Sequence, residues 1–196
     1  MCGGLRGEEV PLLSLEGMLT FWEDTSREDD PYLMLTLKGK FKGEVDERWH
    51  LVPVSNYTRS MIPLRRWMQR ILDRRVVKEG RRVGWLFQSS KGVRDRFGFG
   101  MYDATFRQLL DAAREESGEL LPDVVDTEDF SLWRSPRRGA VLETTNQDVS
   151  EKVIELINRW RSKEAARGSV AGLPLRQVYT QVKSTVPTML VFSKAL

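Results

Sequence analysis

A run of arginines near the middle of the chain, followed by a tryptophan and a tyrosine, has the residue types of a phosphodiester site. Arg134, Arg137 and Arg138 fall within five residues, and Trp160 and Tyr179 follow later. A planar guanidinium forms two parallel charge-assisted hydrogen bonds to a phosphate and keeps its charge. The phenol oxygen of tyrosine is one of the few that can be linked covalently to phosphorus and released again. Together these side chains predict chemistry on a nucleic-acid phosphate.

At these residues the sequence resembles the tyrosine recombinase, or phage integrase, family. The family's second box usually reads His-x-x-Arg, so Arg134 stands in the histidine position and Arg137 in that of the active arginine. The resemblance implies that Trp160 donates its indole N–H to the scissile phosphate and that Tyr179 is the nucleophile. The chain departs from the family at Arg134, which can donate but cannot act as a base. It also has a longer spacing from Trp160 to Tyr179, and integrase-like proteins of eukaryotic mobile elements share both departures.

A second stretch, at the start of the chain, resembles the family's first box, Gly-Leu-Arg-x-x-Glu. This stretch begins at Gly4. The resemblance implies that Arg6 is the first catalytic arginine and that Glu9 is a supporting carboxylate. Arg138 has the corresponding supporting role in the second box. The residues themselves place Arg6 at the mouth of a helical turn, where a guanidinium can reach an anion.

Three lysines follow the first predicted strand of a hairpin. In the family this hairpin carries a lysine that protonates the leaving 5′ oxygen. Lys38, Lys40 and Lys42 alternate onto one face at the strand end. Lys42 is favoured because it lies nearest the turn, with Lys40 next and also able to contact DNA, while a solvated lysine row is the alternative.

The elements that position these residues predict an α+β fold. Residues 15–24 and 32–38 are predicted strands, the second because Leu33, Leu35 and Leu37 alternate with other residues. Residues 49–54 complete a hairpin. The resemblance implies a mainly α-helical tyrosine recombinase catalytic domain with a small antiparallel β-sheet near the N-terminus.

Helices are predicted where apolar residues recur at intervals of three and four. Their expected inward faces are Leu64, Trp67, Met68, Ile71 and Leu72 in a helix from residue 60; Phe106, Leu109, Leu110 and Ala113 in residues 103–116; and Val153, Ile154, Ile157 and Trp160 in a helix capped by Ser150. Gly139 and Ala140 are expected to permit close packing under the arginines. The apolar segment 186–192 is expected to pack on a neighbouring protomer, as in the family, or on its own domain.

Charge is unevenly distributed, and this favours a nucleic-acid partner, which the resemblance implies is double-stranded DNA. The net charge is +3 overall, but residues 51–110 hold 13 Lys and Arg against 4 Asp and Glu, a net +9. Such a block is typical of a surface that contacts nucleic-acid phosphates, although a solvated basic helix face has the same composition. The predicted DNA-binding residues are Lys40, Arg65, Arg66, Arg70, Arg74, Arg81 and Arg82.

Length and composition are consistent with one globular domain over residues 1–196. Cys2 is the only cysteine, which excludes an intramolecular disulfide and a cysteine-based zinc site. The sole histidine, His50, is interpreted as structural, and no metal or cofactor is expected. No apolar run approaches the ~20 residues that span a bilayer, so no membrane partner is expected and the predicted location is nuclear or cytoplasmic.

The resemblance implies further partners and leaves three functions open. Family members have helices before the first arginine and an upstream DNA-binding domain, and both are expected to be missing from this chain. The resemblance also implies a homo-oligomer on DNA, a tetramer in the synapse. The chain is therefore interpreted as a site-specific recombinase or integrase catalytic domain, as a catalytically inactive DNA-binding or assembly remnant of one, or as a type IB topoisomerase-like enzyme.

Overall fold

The computed structural model describes residues 5–29, 31–39, 46–87, 99–117, 126–127, 135–158 and 185–196. Over these residues the fold is mixed α+β and mostly helical, with a small two-stranded antiparallel sheet, which confirms the predicted fold class at that level. The helices are α1 (Leu15–Trp22), α2 (Leu64–Leu72), α3 (Phe99–Glu116), α4 (Ser135–Asn146), α5 (Glu151–Asn158) and α6 (Val186–Lys194). Two 3₁₀ helices span Gly7–Leu12 and Asp24–Ser26, and a π-helical turn spans Asp73–Lys78.

The predicted hairpin is confirmed and consists of β1 (Tyr32–Gly39) and β2 (Arg48–Ser55). In its register Tyr32 lies opposite Ser55 and Gly39 opposite Arg48. The alternation expected for β1 is present, but both faces of the strand are buried. Leu33, Leu35 and Leu37 enter one hydrophobic cluster, and Tyr32 and Met34 enter another.

The prediction of a strand over residues 15–24 was wrong, because this segment forms helix α1. The hydroxyl of Ser14 caps the helix by accepting a hydrogen bond from the Gly17 N–H at 3.2 Å. Leu15, Met18 and Phe21 are buried at the three-residue interval of a helix. A short apolar run does not distinguish strand from helix by periodicity alone.

The first hydrophobic cluster lies on one face of the hairpin and is closed by the segment before α1 and by a short stretch near Leu86. The Leu86 N–H donates to the Leu13 carbonyl at 2.8 Å, and Leu13 itself pairs with Leu37 of β1. Leu86 is fully buried. The cluster comprises Leu5, Leu12, Leu13, Leu15, Met18, Leu33, Leu35, Leu37, Val52, Val54, Leu72 and Leu86.

Helix α2 packs on this first cluster and begins later than the sequence indicates. Met61 has a φ of 59°, in the left-handed region, so the helix starts at Leu64 and not near residue 60. Leu64, Met68 and Ile71 pack against the cluster as predicted. Trp67 was predicted to face inward but is 55% exposed.

Helix α6 joins the other face of the hairpin to the helix pair α4–α5. Its Val186 and Leu190 enter the second cluster, with Tyr32 and Met34. Its Phe192 enters a third cluster, with residues of α4 and α5. Of the two alternatives for segment 186–192, the structure therefore shows docking on its own chain.

Two further expectations differ from the structure. Leu109 of α3, predicted to face inward, is 64% exposed. A Cβ added at Gly139 would meet no atom within 4 Å, so close packing in α4 occurs at Ala140 and not at Gly139. The apolar face of α3 extends over fewer positions than its sequence pattern suggests. Among the described helices, none combines the length and the apolar character needed to cross a membrane.

Candidate functional site

Arg6 lies at the entrance to the first 3₁₀ helix, as its position after Leu5 predicted. Its backbone N–H donates to the Glu9 carboxylate at 2.6 Å, and the Glu9 N–H donates to the Arg6 carbonyl at 2.9 Å. Glu9 is buried, whereas the Arg6 side chain is 32% exposed. The nearest carboxylate in an ion pair with the Arg6 guanidinium is that of Glu8, at 3.9 Å. Glu9 thus holds the backbone at Arg6, and the guanidinium remains accessible to an anion.

The helix that carries Arg6 packs at one particular end of the hairpin. Leu13 pairs with Leu37, and a Cβ on Gly39 would lie 2.9 Å from a methyl group of Leu12. Lys38 is exposed at the same end of β1, with its ammonium 5.3 Å from the centre of the Trp49 ring. The chain continues from Gly39 directly into the connection that contains Lys40 and Lys42, two predicted site residues that lie outside the described residues. The end of the 3₁₀ helix that follows Arg6 therefore packs at the lysine end of the hairpin, with Arg6 itself at the opposite end of that helix.

Arg137 lies on α4 next to the end of α5. Its Nη2 donates to the backbone carbonyl of Asn158 at 2.5 Å. Asn158 is buried, and its side-chain amide donates to the Ile154 carbonyl at 2.8 Å, one helical turn back. Arg137 therefore contacts the last described residue of α5, which lies two positions before Trp160 in the sequence.

The remaining predicted catalytic residues cannot all be placed. Arg138 is exposed on α4. Arg134, Trp160 and Tyr179 lie outside the described residues. Arg6 adjoins residues of the first hydrophobic cluster, and Arg137 lies on α4, which packs in the third hydrophobic cluster. The two arginines therefore belong to elements of different clusters.

The arginines of α2 divide into one with a structural role and two that are exposed. Arg65 donates to the backbone carbonyls of Trp22 at 2.5 Å and Tyr32 at 3.3 Å, and its guanidinium lies 4.0 Å from the centre of the Trp22 ring. Burial lowers the pKa of the Arg65 guanidinium, and the charge of Glu23 partly offsets that effect. Arg66 and Arg70 are exposed, and Arg70 lies 4.9 Å from the centre of the Trp67 ring.

Three arginines after α2 converge on a single carboxylate. Glu79 accepts from Arg75 at 2.8 Å and from Arg81 at 3.2 Å, and Arg74 lies 3.5 Å away. The hydrogen bond from Arg75, followed by the charges of Arg75 and Arg81, lowers the pKa of Glu79. Arg74 and Arg81, both predicted to contact DNA, thus share an internal counter-ion, whereas Arg82 is exposed.

A cleft of about 460 Å³ opens between the end of β2 and α2. Sequence reasoning assigned three of its arginines to DNA but overlooked Asn56, Tyr57 and Gln69. In the sequence, the only indication of these three residues was that an aromatic and two amide side chains lie close to arginines. The residues that line the cleft are Asn56, Tyr57, Pro63, Arg65, Arg66, Gln69 and Arg70.

In the part of the chain that the structure describes, no three His, Cys, Asp or Glu side chains are grouped in a way that could hold a metal ion. Comparison of the chain with protein-family models, with curated proteins and with solved structures found no match in any of the three. A functional assignment therefore depends on the residues and their geometry.

Proposed function

We propose that the chain is the catalytic domain of a DNA recombinase or integrase, which breaks and rejoins DNA through a 3′-phosphotyrosine intermediate. The observation that supports the proposal is that the 3₁₀ helix that begins after Arg6 packs, through Leu12 and Leu13, on the end of β1 that carries Lys38. In the proposed site an arginine for the phosphate and a lysine for the leaving oxygen act on one phosphodiester. Packing of this helix on β1 attaches Arg6 and Lys38 to the same part of the fold.

The contact between Arg137 and Asn158 supports the proposal from the other half of the chain. The backbone carbonyl of Asn158 holds the Arg137 guanidinium at the end of α5, immediately before the Arg159-Trp160 pair. A guanidinium anchored through one amino group has a fixed orientation, which reduces the conformational freedom that is lost on binding a phosphate. Order along the chain then agrees with the order of the arginine, tryptophan and tyrosine boxes.

In this mechanism Arg6 and Arg137 bind the non-bridging oxygens of one DNA phosphate and stabilise the charge that develops on them. The Tyr179 oxygen attacks phosphorus, the bond from phosphorus to the 5′ oxygen breaks, and Lys42 donates a proton to that oxygen. The products are a 3′-phosphotyrosine and a free 5′ hydroxyl. A 5′ hydroxyl from a second strand then attacks the phosphotyrosine, and Tyr179 leaves. The covalent bond conserves the energy of the phosphodiester, so no nucleotide is consumed.

The proton on Tyr179 has to be removed or shared for attack near neutral pH, since an unperturbed tyrosine has a pKa of about 10. Arg134 occupies the position of a histidine base but keeps its own proton. Positive charge from Arg134, Arg137 and Arg138 would favour the phenolate form of Tyr179, and the phenol proton would pass to solvent. We therefore assign these arginines a role in electrostatic activation of Tyr179 and none as a base.

The test is trapping of the covalent intermediate on a pool of random duplexes that carry a nick. Cleavage near the nick releases a short fragment with the 5′ hydroxyl, which diffuses away and prevents religation. We expect a DNA-linked peptide containing Tyr179, identified by denaturing gel and mass spectrometry. Tyr179→Phe should abolish it, and Arg6→Ala or Arg137→Ala should slow its formation by about 10²-fold or more.

Tyr102→Phe is the matched control, because it removes a phenol hydroxyl elsewhere in the chain and should leave adduct formation unchanged. An adduct accompanied by relaxation of supercoils without strand exchange would favour a topoisomerase-like activity. Salt-sensitive DNA binding without any adduct, also after addition of an upstream DNA-binding domain, would contradict strand transfer and favour an inactive DNA-binding remnant.

A further inference from the structure

The cleft between β2 and α2 is lined mainly by basic, amide and aromatic side chains. Its lining includes three arginines, two amides, a tyrosine and a proline, and none of its described lining residues is acidic. Tyr57 is 53% exposed, and Arg66 and Arg70 are exposed on the facing helix. A volume of about 460 Å³ falls within the range of small-molecule sites.

Much of this lining is held in place before any ligand arrives. Tyr57 pairs with Pro63 across the mouth of the cleft, and the Leu64 N–H donates to the Asn56 carbonyl at 2.9 Å. The Arg70 guanidinium lies over the Trp67 ring. A stacked guanidinium loses less conformational freedom on binding than an isolated one, which favours a stable ligand contact.

Arg65 forms the floor of the cleft without serving as a ligand-binding donor. It donates to the carbonyls of Trp22 and Tyr32 beneath the helix. Its positive charge nevertheless adds to the potential inside the cleft. The cleft therefore attracts an anion, and Arg66 and Arg70 are the donors free to bind it.

A polar group in the wall points to a second part of the ligand. The side-chain oxygen of Asn56 is buried and finds no hydrogen-bond donor among the residues that the structure describes. A rotation of the Asn56 side chain toward the cleft would expose this oxygen and let it accept a hydrogen bond from an exocyclic amine of a base. The exposed ring of Tyr57 provides a flat apolar surface beside it, on which a base can stack.

We infer that this cleft binds a nucleotide, with the phosphate between Arg66 and Arg70 and the base on Tyr57 next to Asn56. A plain anion would use the arginines and leave the tyrosine without a role. The Asp and Glu side chains of an acidic peptide would use the arginines, but a carboxylate has no ring to stack on Tyr57 and no N–H to donate to Asn56. A nucleotide uses all four side chains.

This site is separate from the strand-transfer site. Tyr32 lies opposite Ser55 at the cleft end of the hairpin, and Gly39 lies opposite Arg48 at the end that leads to Lys40 and Lys42 in the sequence. The seven steps from Tyr32 to Gly39, at roughly 3.3 Å each, separate the two ends by about 23 Å. The inference therefore goes beyond the proposed function and needs none of the strand-transfer residues.

Two sources can present the same chemistry, a free nucleotide or an unpaired nucleotide within a strand. The experiment titrates the full chain with adenosine monophosphate, adenosine, inorganic phosphate, a single-stranded tetranucleotide and a short duplex. Binding is followed through amide chemical shifts and Trp67 fluorescence. We expect adenosine monophosphate to bind at least about tenfold more tightly than adenosine or phosphate, because both halves of the site contribute.

The variants separate the two halves. Arg66→Ala with Arg70→Ala should weaken binding about tenfold or more, through loss of charge-assisted hydrogen bonds. Tyr57→Ala should weaken it about tenfold, whereas Tyr57→Phe retains the stacking surface and should change it less than about threefold. Arg27→Ala, an exposed arginine away from the cleft, is the matched control and should have no effect. The altered side chains are exposed, and circular dichroism would check that each variant folds.

The outcomes distinguish the sources and can overturn the inference. A tetranucleotide that binds much more tightly than the monophosphate identifies a strand as the source, and equal affinities identify the free nucleotide. Equal binding of inorganic phosphate and adenosine monophosphate, with no effect of Tyr57→Ala, would reduce the cleft to an anion site and overturn the inference. So would the absence of any shift at residues 56–70 with every nucleotide tested, or binding only of the intact duplex.

Discussion

The hydroxyl of Ser193 accepts a hydrogen bond from the backbone N–H of Ser55 at 2.7 Å and donates one to the Leu190 carbonyl at 3.2 Å. Both serines are buried. A side chain of the last helix therefore satisfies a backbone donor at the end of β2. This contact, with the apolar contacts of Val186 and Leu190, attaches α6 to the hairpin within one chain.

Ser193→Ala should lower the free energy of unfolding by about 1–3 kcal/mol, because it leaves the buried Ser55 N–H without its acceptor. Denaturant titration at constant slope would measure the change. Thr188→Ala, an exposed position on the same helix, should change stability by less than about 0.5 kcal/mol. Equal stability of the two variants would mean that the Ser193 hydroxyl does not fix α6 to β2 in solution.

Two glycines in helices should respond in opposite directions to the same substitution. A Cβ on Gly17 of α1 would lie 2.3 Å from Cγ2 of Thr36 and 2.8 Å from its Cβ. Gly17→Ala should therefore destabilise the protein by about 1–3 kcal/mol through overpacking, despite the better helix propensity of alanine. Gly139→Ala meets open space in α4 and should stabilise the protein by up to about 1 kcal/mol.

Thermal unfolding of both alanine variants measures this contrast. Thr36→Gly in the Gly17→Ala background should recover part of the loss, because it removes both atoms that the new methyl group meets. Destabilisation of similar size in both single variants would refute close contact between α1 and β1.

The acidic side of the stability profile should depend on Glu79. Because Arg75 and Arg81 lower its pKa in the folded protein, Glu79 stabilises the fold above its ordinary pKa of 4.5, and this contribution is lost as the pH falls through the lowered value. Glu79→Gln should thus be less stable than the parent chain at about pH 7, and the difference should shrink as the pH falls below 4.5 and through the lowered pKa. Urea midpoints across this range would measure the difference.

Salt provides the control for this prediction. Glu79 and its arginine partners lie at the surface. About 1 M NaCl should therefore shrink the difference in stability between the parent chain and Glu79→Gln at neutral pH. A difference that persists unchanged at low pH or in high salt would show that Glu79 acts through packing and not through its charge.

Sequence patterns predicted the strands and helices that are determined by residues close together in the chain. The alternation of Leu33, Leu35 and Leu37 predicted β1, and apolar spacing predicted α2 and α5. Residues 15–24 were misassigned because their short apolar stretch does not distinguish strand from helix by periodicity. The packing of Gly17 against Thr36, which accompanies the helix, is long-range. The exposure of Trp67 and Leu109 likewise depends on which other elements pack nearby. The periodicity of the sequence carries no information about those elements.

The candidate site was predictable only in part for the same reason. Proximity of Arg6 to Glu9 follows from their spacing of three, and the structure places them in contact. The pairing of Arg137 with the end of α5 joins residues 21 positions apart and depends on how two helices pack. Arg65 and Arg66 are adjacent residues of the same type, yet Arg65 forms hydrogen bonds within the fold and the side chain of Arg66 is exposed. Sequence alone assigned both to DNA.

These two adjacent arginines provide the last prediction. Arg65→Ala removes hydrogen bonds to the carbonyls of Trp22 and Tyr32 and the stacking on Trp22, so it should lower the free energy of unfolding by about 2 kcal/mol. Arg66→Ala should change stability by less than about 0.5 kcal/mol, since its side chain is exposed. For DNA binding the order should reverse. Under conditions in which both variants are folded, Arg66→Ala should weaken affinity and reduce the salt dependence by the equivalent of about one phosphate contact, while Arg65→Ala leaves both nearly unchanged. Denaturant titration and fluorescence anisotropy with a labelled duplex at several salt concentrations would measure the two effects. Weaker DNA binding by folded Arg65→Ala, with the parent affinity retained in Arg66→Ala, would refute the assignment of Arg65 to the fold and Arg66 to the ligand surface.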